Sequence, residues 1–204
     1  MTIDVTTSGL VLDEQAQSLL FREARTANAF TDEPIGEETI RTIYELVKWG
    51  PTSFNQQPLR VVLVRSPEAR EKLVEHMIDN NKEKTRKAPL VAIMGADTDF
   101  HENLPTQLPF LPNAKEMFFS EYAVREDNAR LNAALQIAYY IIGIRAAGLA
   151  AGPMSGFDAE AVSEMFFPGG KHKALVVINI GKPAPNAWWG RLPRLEFDAV
   201  HSVV

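Results

Sequence analysis

The chain is 204 residues long, with 46% hydrophobic and 23% charged residues and a net charge of −5. This ordinary globular composition excludes a mostly disordered or fibrous chain, and the length favours a single domain over 1–204. The negative charge argues against a broad nucleic-acid surface, and no apolar run approaches the roughly 18–20 residues of a membrane span. The absence of cysteine excludes disulfides, thiolate metal sites and a cysteine nucleophile. Since MTIDVTTSGL contains no secretory signal, we expect a cytoplasmic protein.

The first half of the chain alternates between helical and strand patterns. Ile40, Ile43 and Val47 share one face of a predicted helix, and Gly50–Pro51 is a stop signal. The branched residues of LRVVLV predict a strand, and Pro67 is typical of a first helical turn. In order, we predict a loose arm at 1–11, helices at 13–27 and 37–49, a strand at 59–64, a helix at 67–78 and a strand at 88–95.

A long helix predicted over 125–147 dominates the second half. One of its apolar stripes is Leu131, Leu135, Ala138 and Ile142, and the other is Ile137, Ile141 and Ile144. A helix that is apolar on two faces is buried on both, and in a chain this short we expect the second face to meet another subunit. Prolines argue against a helix through 97–113. The remaining predictions are a short helix at 158–167, a buried strand at 174–180 and an unplaced tail at 195–204.

Common catalytic and nucleotide-binding motifs are absent from the sequence. Gly143 and Gly148 have the glycine spacing of a P-loop, but Leu149–Ala150 follows instead of Lys-Ser/Thr. The segment Gly152–Gly156 lacks the glycine two residues before the serine that a nucleophile elbow needs. No metal is expected, because the histidines are scattered without ligand spacing: His76, His101, His172 and His201.

Three segments are candidates for ligand contact, and each also has a plain structural explanation. Arg25–Asn28 follows a predicted helix, where an arginine can simply satisfy helix carbonyls. The polar segment Pro51–Pro58 would be costly to bury without hydrogen bonds, and its spacing alone favours an exposed loop. Gly152–Gly156 offers free N–H groups on a fixed backbone, or is a turn. Together the segments indicate a ligand held by loops.

The order of these motifs resembles the FMN-dependent nitroreductase family over nearly the whole chain. The motifs are A-R-T-x-N-x-F at 24–30, P-T-S-x-N-x-Q-P at 51–58, G-P-M-S-G-F-D at 152–158 and R-L-P at 191–193. Trp49–Ser53, Gly152–Asp158 and Arg191–Leu195 are similar to the malonic semialdehyde reductase branch, which acts in pyrimidine breakdown. The resemblance implies an α+β fold, with a central, mostly antiparallel sheet flanked by helices. It also implies an intertwined homodimer with two FMN sites at the interface.

The resemblance also assigns residues to FMN, position by position. The phosphate and ribityl end would be bound by Arg25, Thr26, Asn28 and Arg191. An arginine's planar fork suits a phosphate. The pyrimidine edge of the ring would be bound by Asn81 and Lys84, where a cation tunes the flavin potential. The ring would lie against Pro153, Met154, Ser155 and Gly156, with a backbone N–H near N5. The segment contributed by the other subunit would contain Pro51, Thr52, Ser53 and Asn55.

The chain departs from the family pattern at three positions that carry basic residues in many relatives. Those positions hold Ala24, Asn28 and Trp189. The site would therefore contain fewer cations, and Arg22 is a candidate to compensate.

The implied activity is ping-pong hydride transfer. NADH or NADPH would reduce FMN, and the oxidised coenzyme would leave. An electrophile would then bind in the same place and accept hydride from the reduced flavin. Malonic semialdehyde, reduced to 3-hydroxypropionate, is the expected substrate. Its carboxylate would need a cation, for which Arg60, Arg86 and Lys87 are candidates, although the sequence favours a solvated surface charge for each. Because FMN carries the chemistry, no catalytic side chain is assigned.

Three alternatives remain open. A broad NAD(P)H nitroreductase, quinone reductase or flavin reductase would have a roomy aromatic cleft. The candidate lid for such a cleft is the segment 97–120 with Phe100, Phe110, Phe118 and Phe119, although core packing explains these residues equally. A flavin-binding protein with little turnover would hold FMN that NAD(P)H does not reduce. A dimeric interaction domain without flavin would be colourless.

Overall fold

Helices pack on both faces of a four-stranded sheet in residues 10–204, the part of the chain that this computed structural model describes. The strands are β1 (Leu59–Val64), β2 (Leu90–Asp97), β3 (Ala150–Met154) and β4 (His172–Gly181). The α-helices are α1 (Glu14–Gln17), α2 (Glu37–Val47), α3 (Pro67–Glu75), α4 (Asp79–Lys87), α5 (Leu104–Gln107), α6 (Ala114–Phe118), α7 (Tyr122–Ala146), α8 (Ala159–Phe166) and α9 (Phe197–Val200). The predicted arm at 1–11 lies outside the described residues except for its last two.

The strand order is β1-β2-β4-β3, and every pairing is antiparallel. The register places Ile93 of β2 between Val62 of β1 and Val177 of β4. All eight residues of β2 are buried, because neighbouring strands flank it and helices cover both of its faces. These features confirm the predicted α+β fold with a mostly antiparallel sheet.

The strand alternation divides the core into two layers. Leu90 and Met94 of β2 belong to the layer under α2 and α7. Val91 and Ile93, on the opposite face, belong to the layer that includes Leu73 of α3 and Val162 of α8. The apolar run of β2 is therefore continuous because both of its faces are buried.

The long helix α7 forms close to its predicted bounds. Its Ile137–Ile144 stripe is in the core, and α2 packs closely against Gly143, where a Cβ would lie 2.3 Å from Val47 Cγ1. The other apolar stripe is exposed in the single chain, with Leu131 at 64% and Leu135 at 46% exposure. One apolar face is thus available to a second molecule.

The helix predicted at 13–27 is wrong beyond Arg22. Asp13 begins α1 by accepting a hydrogen bond from Ala16 N at 2.7 Å, and a π-helical turn over Ser18–Arg22 follows. The chain then extends, because Ala27 N donates to Ala151 O of β3 at 3.0 Å. A backbone hydrogen bond to β3 therefore replaces helix at this position.

The helix predicted at 67–78 ends at Glu75, and a separate helix, α4, was not predicted. Its sequence, DNNKEKTRK, has almost no apolar residue, so it lacks the periodicity that identifies a helix. Only Asn81 and Thr85 of α4 are buried. Tertiary contacts, rather than an apolar stripe, hold this helix.

Two further segments differ from expectation. A 3-10 turn over Phe100–Asn103 and the short α5 lie within 97–113, where Pro105 occupies the first turn of α5 and so needs no N–H partner. Gly152–Gly156 is not a simple turn, since Gly152, Pro153 and Met154 pair with β4. Proline is tolerated there because β3 is an edge strand.

Candidate functional site

A cavity of about 590 Å³ opens between α4, the segment after the π-helical turn and the segment 189–194. Its lining residues are Arg25, Thr26, Asn28, Lys84, Trp189, Gly190, Arg191, Leu192 and Arg194. Four of them are cationic, and within residues 10–204 no carboxylate joins the lining. Of the predicted phosphate-end residues, the structure brings together all four, and Lys84 joins them.

Backbone pairing holds the 25–28 segment at this cavity. Ala27 N donates to Ala151 O, and Asn28 N donates to Ala187 O, both at 3.0 Å. A Cβ on Gly152 would lie 2.6 Å from Ala27 O, so the close approach of the two backbones requires glycine there. The side chains of Arg25 and Asn28 are thus presented from a fixed backbone.

Arg25 is partly satisfied within the chain. Its Nη1 donates to Trp189 O at 3.3 Å, and its guanidinium lies 5.6 Å from the ring centre of Trp188. Its Nε is buried and has no partner among the described residues. A buried charged donor without an acceptor is costly, so this atom fits an anionic ligand.

Two further arginines approach the cavity from the C-terminal segment. Arg191 Nη2 donates to the carbonyl of Arg22, and Arg194 Nη1 donates to Leu192 O at 3.1 Å. Arg194 was not predicted, although R-L-P-R contains the signal. Arg22, the predicted compensating cation, instead donates to Gln17 Oε1 at 2.7 Å.

Helix α4 brings the predicted pyrimidine-edge residues beside the 153–156 segment. Asn81 Nδ2 donates to Gly156 O at 3.1 Å, and a Cβ on Gly156 would lie 2.5 Å from Ile78 Cδ1. Lys84 Nζ lies 3.4 Å from Asn28 Oδ1. Burial lowers the pKa of the Lys84 ammonium, because desolvation disfavours its charged form. An anionic ligand would offset that penalty.

Arg70 fixes the C-terminal end of α4. It is 7% exposed and donates to Thr85 O at 2.9 Å, to Ala88 O at 2.6 Å and to Val64 O at 3.0 Å. The last carbonyls of a helix have no partner within the helix. Arg70 therefore supplies these donors and joins α4 to β1.

The predicted 51–55 residues lie elsewhere in the single chain. Their hydrogen bonds run to α7 and α5: Ser53 N donates to Asn132 Oδ1 at 2.8 Å, and Asn55 Nδ2 donates to Gln107 O at 2.9 Å. Pro51, Ser53 and Asn55 are exposed. Within one chain the structure does not bring this segment to the lining of the cation cavity.

The aromatic residues predicted as a lid divide between core and surface. Phe100 and Phe119 are buried and in contact, with ring centres 5.2 Å apart. Phe118 is partly exposed and lies 5.2 Å from Phe54 of the polar segment, whereas Phe110 is 81% exposed. Core packing thus explains two of the four, and the others are available to a cleft.

The three cations considered for a substrate carboxylate are already paired. Arg60 Nη2 lies 2.6 Å from Asp97 Oδ2. Arg86 pairs with Glu71 and Glu83, and Lys87 also pairs with Glu83. A substrate carboxylate would compete with these acids for the cations.

Residues 10–204 contain neither a membrane-spanning helix nor a metal-binding cluster. No helix there has both the length and the apolarity to cross a membrane. The same residues contain no cluster of three or more His, Asp or Glu that could hold a metal ion.

The sequence matches known proteins over nearly its full length. It is 62% identical over 195 residues to a Streptomyces griseus protein provisionally named NADH dehydrogenase/NAD(P)H nitroreductase, covering 96% of this chain and 99% of the relative. A Leptothrix cholodnii protein with the same provisional name is 45% identical over 193 residues, covering 95% and 98%.

Solved structures share the fold at low identity. A provisional nitroreductase of Bacillus subtilis superposes with a TM-score of 0.80 at 24% identity, covering 94% of this chain and all of that one. One from Exiguobacterium sibiricum, in complex with FMN, gives 0.82 at 17% identity, covering 92% and 96%. The sequence profile of the Nitroreductase family matches residues 21–182. The chain therefore belongs to the nitroreductase family, as its motifs indicated, and is an enzyme of the FMN-dependent NAD(P)H oxidoreductase class.

Proposed function

We propose that the cation-lined cavity and the adjoining Asn81–Gly156 contact bind FMN in a homodimeric NAD(P)H oxidoreductase. The observation that carries this proposal is the grouping of four cations, with no carboxylate of residues 10–204 beside them, in a chain of net charge −5. A dianionic phosphate requires such a local excess of positive charge, and arginine binds it with paired hydrogen bonds.

The described residues fit the remaining parts of FMN. The unpartnered Nε of Arg25 and the guanidinium of Arg191 would bind the phosphate, with Thr26 and Asn28 beside the ribityl chain. Asn81 and Lys84 would bind the pyrimidine edge, where the lysine supplies positive charge. The 153–156 backbone would support the ring, because Asn81 Nδ2 donates to Gly156 O and so fixes this backbone beside α4. When bound, FMN supplies hydride transfer from NAD(P)H to an acceptor, while the protein binds and orients.

The homodimer is supported by the exposed apolar face of α7. Leu131, Leu135 and Tyr139 are exposed on this helix, and Trp49 is exposed just beyond α2. A contiguous apolar surface of this kind marks a protein–protein contact. In the dimer, we infer that Pro51, Thr52, Ser53 and Asn55 of one subunit approach the FMN of the other.

Two classes of hydride acceptor are proposed for the reduced flavin. The branch motifs favour malonic semialdehyde, with 3-hydroxypropionate as product. The pairing of Arg60, Arg86 and Lys87 with acids favours the alternative, a broad nitroreductase, quinone reductase or flavin reductase, because a carboxylate anchor is then not free among them. The exposed Phe110 and Phe118 also suit aromatic acceptors.

The first experiment is an absorption spectrum of the purified protein before and after anaerobic NADH and NADPH. A yellow protein that bleaches supports the proposal. Malonic semialdehyde and a quinone are then compared by kcat/KM for re-oxidation of the reduced flavin. A preference of roughly tenfold or more for either, which corresponds to about 1.4 kcal/mol, assigns the acceptor class.

Two other outcomes would reject parts of the proposal. A yellow protein that neither coenzyme bleaches would indicate flavin binding with little turnover. A colourless protein that FMN cannot reconstitute would reject the site itself. The cysteine-free chain has no thiol or disulfide that depends on the redox state of its compartment, and we propose the cytoplasm as its location.

A further inference from the structure

The segment 52–57 has a backbone conformation that its residues disfavour. Phe54, Asn55 and Gln57 have φ values of 53°, 50° and 45°. Asparagine tolerates this left-handed region, but a bulky residue such as phenylalanine rarely adopts it. Such a conformation persists only where the surrounding structure enforces it. Some other part of the fold must therefore hold this segment.

Two amide side chains of α7, together with Gln56 of the segment itself, make the required contacts. We call Gln56, Asn128 and Asn132 the amide ladder. Asn132 Oδ1 accepts from Ser53 N at 2.8 Å, and Asn132 Nδ2 donates to Gln56 Oε1 at 3.0 Å and to Asn128 O at 2.9 Å. Gln56 Nε2 donates to Asn128 Oδ1 at 3.2 Å. Asn132 therefore binds the strained segment through residues on both sides of Phe54.

Because these hydrogen bonds are buried, they constrain the conformation of the segment. Gln56 is fully buried, and Asn132 is 1% exposed, so water cannot readily replace a lost partner. Each buried amide must keep both its donor and its acceptor satisfied. In the observed arrangement Asn132 has its acceptor satisfied by Ser53 N and its donor by Gln56 Oε1 and Asn128 O. The ladder thus selects one conformation of the segment.

We propose that Asn132 is a positioning residue for the reaction. Through Ser53 N and Gln56 Oε1 it holds Thr52, Ser53 and Asn55 in the conformation that meets the flavin of the partner subunit. This inference rests on the proposed function, because the approach of the segment to FMN is part of that function. The same helix carries the exposed apolar face. Helix α7 would therefore both contact the partner subunit and position the segment.

The test compares two variants of α7 as FMN-loaded protein. Asn132→Leu removes the ladder's central amide. Gln136→Leu, one turn later, removes an amide whose Oε1 accepts from Leu59 N at 2.9 Å, and so loosens β1 rather than the segment. We expect both to lower the melting temperature. Only Asn132→Leu should lower kcat/KM for NAD(P)H, by about 10- to 100-fold, since a misplacement of the segment by about 1 Å has that effect. Only this variant should also shift the flavin absorption bands.

The outcomes separate the inference from the function on which it rests. If wild-type protein does not bind FMN, or does not bleach with NAD(P)H, both are rejected. If wild type bleaches but Asn132→Leu matches Gln136→Leu in kinetics and spectrum, the positioning role alone is rejected. Should Asn132→Leu fail to fold, Asn132→Asp is the second variant. It retains an acceptor for Ser53 N but loses the donor to Gln56 Oε1 and to Asn128 O, and we expect a loss of kcat/KM with the same spectral shift. Wild-type kinetics and spectrum for this variant would reject the positioning role.

Discussion

Arg70→Leu is expected to destabilise the protein through the end of α4. Three carbonyls that Arg70 satisfies at 2.6–3.0 Å would lose their donor: Val64 O, Thr85 O and Ala88 O. A buried acceptor left without a partner costs about 1–3 kcal/mol. Removing a buried charge gives part of this back, since burial already lowers the pKa of the Arg70 guanidinium and so disfavours its charged form. The balance predicts a loss of roughly 3 kcal/mol in the free energy of unfolding.

The assay is urea unfolding of the apoprotein and of the FMN-saturated protein. Arg86→Leu is the matched control, because it removes the same charge from an exposed position paired with Glu71 and Glu83. Exposed ion pairs are screened by water, so this control should shift the urea midpoint far less. Arg70→Leu should also weaken FMN binding, since α4 carries Asn81 and Lys84. Equal urea midpoints for the two variants would refute the reasoning.

Three other perturbations test separate parts of the structure. Arg191→Ala should lower the flavin that remains bound through gel filtration, because the arginine lines the proposed phosphate site; full flavin retention would contradict this. Leu131→Glu should dissociate the proposed dimer in sedimentation experiments at low concentration, and an FMN-loaded wild-type monomer under those conditions would contradict the dimer. Gly143→Ala should lower the free energy of unfolding by about 1–3 kcal/mol, because its Cβ would overlap Val47 Cγ1. In thermal unfolding, Gly36→Ala is the control, since nothing lies within 4 Å of the added atom.

The fold was predictable where burial leaves a periodic pattern. The apolar run of β2 and the stripes of α7 were recognised because each buries apolar residues at a regular spacing. Helix α4 was missed because its inward positions are Asn81 and Thr85, and Arg70 satisfies its end from another element. A helix held by polar tertiary contacts has no signature in hydrophobic periodicity.

The candidate site was predictable mainly from the order of its motifs. Arg25 and Arg191 lie at opposite ends of the chain, so only a family pattern could place them together, and the structure brings both to one cavity. Arg194 was missed although it belongs to the same R-L-P-R motif, because the family resemblance assigned only Arg191 to the flavin. In the proposed dimer, the position of Asn55 relative to the cavity would depend on a second subunit, and its contact with Gln107 depends on tertiary structure alone.

Because β3 lies at the edge of the sheet, its backbone hydrogen bonds should open locally more readily than those of β2. Its backbone pairs with β4 over five positions and includes Pro153, which lacks an N–H, whereas β2 pairs on both sides and is buried throughout. Amide hydrogens of β2 should therefore exchange only through global unfolding, while those of β3 exchange through smaller openings. A ligand held against 153–156 would slow exchange selectively in β3, which makes that strand the most sensitive reporter of occupancy.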